Sequence, residues 1–141
     1  MTEMMNHVVA SLLAFAMSCA PVHAMSKQSS SARVISTSCT GTKFADAAQM
    51  PRICTVFRDT LARQYPGYRF EETTGSGGSV SLHVLRLGDT GMDLKLAHDI
   101  PPNAPYTGPR RGFSISDKAA SRKQIDIFLE QALAQEPLPL K

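Results

Sequence analysis

The chain has 141 residues, no Trp, 43% hydrophobic side chains and a formal net charge of +3 at pH 7. That length allows one domain. The mild positive charge is scattered rather than run into a basic stripe, so nucleic acid is not an expected partner.

The first 24 residues differ from the rest. They hold no Lys or Arg, and Val8 to Met17 is a nearly continuous apolar run. A membrane-spanning helix needs about 20 apolar residues, so this run is too short for one. It suits the apolar region of a secretory signal peptide, and Val22-His23-Ala24 supplies the residues required around a cleavage site. One feature departs from that pattern: Met1 to His7 carries Glu3 and no basic side chain, although initiation at Met4 or Met5 would remove the acidic residue. The expectation is a signal peptide over 1–24, cleaved after Ala24, and a periplasmic or secreted mature chain with no transmembrane segment. Cys19 follows Ala16-Met17-Ser18. Lipoprotein signals normally have Leu three residues before the cysteine and a small residue where Met17 stands, so a lipid anchor at Cys19 is not expected.

Cleavage would leave Cys39 and Cys54 as the two remaining cysteines. In an oxidising compartment such a pair bridges, and closing a loop of about 15 residues stabilises by roughly 3 kcal/mol in the chain-entropy model. No C-x-x-C spacing and no nearby histidine favours a redox or metal site instead.

Residues 25–32 are Ser-rich and read as a flexible arm, followed by a single domain over 33–136. Residues 33–39, with Val34 and Ile35, read either as a short edge strand or as an extended lead-in held by the disulfide. A helix is predicted from Pro51, which is tolerated in a first turn because its missing N–H is an orphan there anyway. Ile53, Val56, Phe57, Thr60 and Leu61 fall on one face, and Pro66-Gly67 ends it. Tyr68 to Thr74 reads as a strand. Gly75 to Ser79 then reads as a hairpin connection, because no Gly-Lys-Ser/Thr and no following helix support a phosphate loop. Val80, Leu82 and Val84 alternate with polar residues, as do Met92, Leu94 and Leu96. The compact turn Gly88-Asp89-Thr90-Gly91 joins them. Its Asp-Thr-Gly core resembles an aspartic-protease motif, but a single copy would need a dimer to pair two carboxylates, and turns favour Asp and Gly on backbone grounds. Leu85 and Leu87 break the alternation and suggest an apolar docking patch.

Residues 100–112 form a loop with Pro101, Pro102, Pro105 and Pro109, and its tip carries Arg110 and Arg111. A loop of this length is often functional, and two adjacent arginines can hold a carboxylate or phosphate. Phe113 to Ser116 reads as the last strand. Ser121 and Gln124 make a capping box ahead of the stripe Ile125, Phe128, Leu129, Ala132 and Leu133. Residues 137–141 cannot continue that helix and read as a frayed tail.

The predicted fold is α+β: a small antiparallel sheet of about four strands with two helices on one face, in the order helix-strand-strand-strand-strand-helix. Catalytic chemistry is thin. His83 should point to the wet face, and the neighbours His98 and Asp99 should point to opposite faces of a strand. No cofactor and no metal is expected, since two histidines fall short of the ligands zinc takes. The function expected is that of a small exported, non-catalytic interaction or accessory protein of the bacterial envelope, whose partner is another envelope protein. The alternatives are a small-ligand or anion binder using Arg110 and Arg111, and a small enzyme using His98 and Asp99.

Overall fold

The computed structural model describes residues 33–72 and 77–140. The predicted signal peptide, the arm over 25–32 and the middle of the glycine-rich connection lie outside the described residues. Eight elements follow in order: β1 (Arg33–Gly41), α1 (Met50–Gln64), β2 (Tyr68–Glu71), β3 (Ser79–Gly88), β4 (Gly91–Asp99), β5 (Tyr106–Thr107), β6 (Arg111–Ser114) and α2 (Arg122–Gln135). The class is α+β, as expected, but the sheet is mixed and has six strands in the order β2-β1-β3-β4, with β5 and β6 both along the far side of β4.

The largest difference from expectation lies in β1. It is neither an edge strand nor a lead-in: it runs parallel to β2 on one side and parallel to β3 on the other. Its pattern was hard to read because two of its three inward positions, Thr37 and Cys39, are not typical core residues, whereas apolar Val34 faces outward beside inward Ile35. The glycine-rich segment is accordingly no hairpin. β2 ends and β3 begins at the level of Ser36, on opposite sides of β1, so the two strands are not neighbours. Gly77 donates its N–H to the Val34 carbonyl and Ser36 donates to the Gly78 carbonyl. A Cβ on Gly78, whose φ is +114°, would stand 2.5 Å from the Asp99 carbonyl oxygen. Glycine is there for close approach rather than for a tight turn.

The β3–β4 hairpin closes at Gly88 and Gly91 as predicted, and Asp89 and Thr90 sit in its turn. Their carbonyls accept from Ala120 and Ile115, which gives this Asp-Thr-Gly a backbone role. A bulge between Val84 and Arg86 leaves Leu85 unpaired. The extra residue resets the alternation, so Leu87 turns into the core and is 2% exposed. The docking patch suggested by Leu85 and Leu87 therefore does not form: the break in pattern marks a bulge.

Both helices cover one face. Ile53, Phe57 and Leu61 of α1 and Ile125, Leu129 and Leu133 of α2 join Ile35, Leu82, Met92 and Leu94 in one core. The predicted capping box is present, with Ser121 Oγ accepting from Gln124 N–H and Gln124 Oε1 accepting from Ser121 N–H. Cys39 and Cys54 are bonded, tying β1 to α1. The opposite face stays open and polar. Ser38 donates to Ser81, and Thr40 meets His83 Nδ1 at 3.1 Å, with Lys95 beside His83 on β4.

Residues 137–140 do not fray. Leu138 and Leu140 pack against the core, and Leu138 donates its N–H to Tyr65 Oη at 2.8 Å.

Candidate site at the end of the sheet

Two arginines adjacent in sequence point to different partners. Arg110, just before β6, reaches the Asp93 carboxylate on β4 at 2.5 Å, and Arg86 reaches the same carboxylate at 3.1 Å. Burial works to raise the Asp93 pKa, but hydrogen bonds from Arg110 and Arg86 outweigh it and hold the group below the ordinary 3.8. Arg111 turns toward the end of α2 instead. Its Nε donates to Glu136 Oε2 at 2.9 Å and its Nη1 to Gln135 Oε1 at 2.6 Å. The predicted arginine pair is thus split between two internal ion-pair groups, Arg111 with Glu136 and Arg110 sharing Asp93 with Arg86.

Glu136 is the hub of this region. Its side chain is 4% exposed, at a helix C-terminus, where a carboxylate meets the wrong end of the helix dipole. It stays there because Arg111 compensates its charge, Tyr106 Oη lies 3.3 Å from Oε1, and Gly108 leaves it room. A Cβ on Gly108 would fall 1.8 Å from Glu136 Oε1. The carboxylate therefore holds β5, the Gly108 turn and β6 against α2 in one network.

His98 joins the same site from β4. It pairs in register with Val80, on the helix-covered face of the sheet, and its ring stacks on Tyr106 with centroids 5.0 Å apart and planes 28° apart. Burial pushes its pKa below 6.5, against the raising influence of Glu136 and Asp99. Its Nδ1 is buried and makes no hydrogen bond among the described residues. Asp99 lies across from Ser79, exposed and on the opposite face, as the parity of a strand requires. The structure therefore brings His98 to Arg111 and Glu136, and keeps both Asp99 and Arg110 apart from it.

An open cleft of about 680 Å³ runs along this network, walled by His98, Asn103, Tyr106, Pro109, Arg111 and the residues after α2. Its walls are mostly apolar with a few converging polar groups, the usual make-up of a binding site. The charges in it cancel: Arg111 is matched by Glu136. Among the described residues no group of three His, Cys, Asp or Glu side chains is placed to hold a metal ion, and no helix is long and apolar enough to cross a membrane. Sequence reasoning reached His98 and Arg111 but missed Glu136 and Tyr106. An acidic residue closing a helix was the one available sign, since such a group asks for a cation nearby.

No family model matches the chain, and no curated protein matches it. A crystal structure of an uncharacterized protein shares the fold at a TM-score of 0.50 and 12% identity, covering 74% of this chain and 86% of that one. At that identity the likeness concerns the fold alone.

Proposed function

We propose that the chain is a small exported, non-catalytic interaction protein of the bacterial envelope, and that it meets a partner protein at the cleft beside His98, Tyr106 and Arg111. The observation that carries this reading is the cleft's chemistry: concave, mostly apolar, with its charged groups Arg111 and Glu136 already paired. A preorganised, charge-balanced surface suits a protein segment better than a free ion. The Cys39–Cys54 bond supports export, because structural disulfides persist in oxidising compartments. In this reading residues 1–24 are removed as a signal peptide and the mature chain is periplasmic or secreted.

The anion-binding alternative draws on Arg110 and Arg111, each of which already faces a carboxylate. An incoming phosphate would have to displace Asp93 or Glu136. The enzymatic alternative needs His98 and Asp99 to cooperate, and they stand on opposite faces of β4.

The test is site-specific photo-crosslinking in cells, with a benzoylphenylalanine placed at Tyr106, in the cleft, or at Lys95, on the open sheet face. The reading expects a discrete protein adduct from position 106 and none from position 95. Adducts from position 95 alone would move the contact surface to the open face. Thermal stabilisation by millimolar phosphate that is lost on Arg111→Ser would favour the anion reading instead.

A further inference from the structure

The segment after α2 behaves like a ligand seated in a groove. Residues 137–140 belong to no helix or strand, yet they carry two leucines inward. Leu138 closes a small apolar cavity formed with Leu61, Leu96, His98, Tyr106 and Leu133. Leu140 lies by Tyr68, Ile100, Pro101 and Pro102, along a second hollow of about 330 Å³. The segment is self-contained between these points: Leu140 donates its N–H to the Leu138 carbonyl at 2.8 Å, closing a three-residue turn around Pro139. Its described hydrogen bond to the groove is the one from Leu138 N–H to Tyr65 Oη. Pro139 borders both the 680 Å³ cleft and the 330 Å³ hollow, as does Asn103. The two hollows thus meet at this turn, and together they form the groove it lies in.

We infer that the groove is a peptide site for a Leu-Pro-Leu turn, occupied in cis by residues 138–140, and that its outside ligand is a neutral Leu-Pro-Leu-type segment of a partner protein competing for the same place. This rests on the reading of the cleft as a partner site and names the class of partner. The chemistry fits on three counts. Two sockets, an apolar one at Leu138 and a mixed one at Leu140 that also meets Arg33 and Asn103, are spaced to take residues on either side of a proline. A single phenolic oxygen accepts the main-chain N–H of the first leucine. With Arg111 matched by Glu136 and Arg33 bordering the second hollow, the rim asks for no positive charge on the ligand. Proline limits the conformational freedom that such a turn loses on docking.

The test uses the full chain in two forms besides wild type. In the first, Leu138→Asp with Leu140→Asp unseats the segment. In the second, Pro139→Gly loosens the turn without altering the groove, which keeps the test usable if the first variant fails to fold. The probe is the acetylated, amidated tetrapeptide Pro-Leu-Pro-Leu, which carries no charge, titrated by NMR. The inference expects saturable binding to the unseated variant, with shifts at Tyr65, His98 and Tyr106. Wild type should bind at least roughly tenfold more weakly, since a tethered segment competes at a millimolar effective concentration. Pro139→Gly should fall between them. No binding to either folded variant, equal binding to all three forms, or self-association of the unseated variant in place of peptide binding would overturn it. A Tyr106 adduct in cells without peptide binding would leave the partner cleft standing and remove this inference. Peptide binding without any adduct would do the reverse.

Discussion

Replacing Arg111 by Ala should unfold the protein far more readily than loss of a partly exposed arginine at the start of β6 would suggest. The Arg111 side chain is 29% exposed and that of Glu136 4%, so truncation leaves a buried carboxylate with Tyr106 Oη at 3.3 Å as its remaining described side-chain donor. Removing one partner of a fully buried pair costs about 3–5 kcal/mol. Water can enter here along the space that Arg111 vacates, which puts the expected cost near roughly 2–3 kcal/mol. For a domain of this size each kcal/mol moves Tm by about 4–8 °C, so a drop of roughly 10–20 °C follows. Urea titration of wild type, Arg111→Ala, Glu136→Gln and the double variant, all with unchanged m-values, would isolate the coupling. Glu136→Gln should relieve much of the Arg111→Ala penalty, because the orphaned charge is then gone. If Arg111→Ala stayed within about 0.5 kcal/mol of wild type, the ordinary range for surface substitutions, the hub role assigned to Glu136 would be wrong and a free, ligand-seeking Arg111 would return to consideration.

Gly78→Ala should cost at least about 2 kcal/mol, from positive φ and contact with backbone, measurable as a fall in urea midpoint; a neutral effect would contradict the close approach of Gly78 to the Asp99 carbonyl. Acid sensitivity has two sources of the same sign. Asp93, with its folded pKa below 3.8, contributes stability that is present above 3.8 and lost as pH falls through the lowered value, and Asp93→Asn should flatten that slope. His98, with its folded pKa below 6.5, is held neutral in the fold, so unfolding takes up a proton and stability falls as pH drops from 6.5 through the folded value; His98→Gln should remove that slope, and an unchanged profile would count against its buried position. Reduction of Cys39–Cys54, which spans 15 residues, should cost about 3 kcal/mol, read as the midpoint difference between oxidised and reduced protein; no difference would mean that the bridge adds nothing to the fold.

What could be read in advance followed the strength of local signals. α2 announced itself through Ser121, Gln124 and an unbroken apolar stripe, and the β3–β4 pairing through strict alternation across a short turn. β1 escaped because its inward residues include the polar Thr37 and the half-buried Cys39, the latter held by the disulfide, so hydrophobicity alone does not mark the strand. Gly77 and Gly78 misled because close backbone approach and a hairpin draw on the same residue type. Leu85 looked like a surface patch since a bulge shifts parity without any compositional mark. At the site, Arg110 and Arg111 drew notice as charges, but what each does depends on Asp93 and Glu136, which lie 17 and 25 residues away in sequence. Only the folded chain reveals such pairings.

The reading of an exported, covalently stapled binding module meets its sharpest check in the intact mass of the protein recovered from its native cells. It predicts a chain beginning at Met25, unlipidated, and lighter by two hydrogens than its reduced form. A chain that retained residues 1–24 with both Cys39 and Cys54 as free thiols would contradict it.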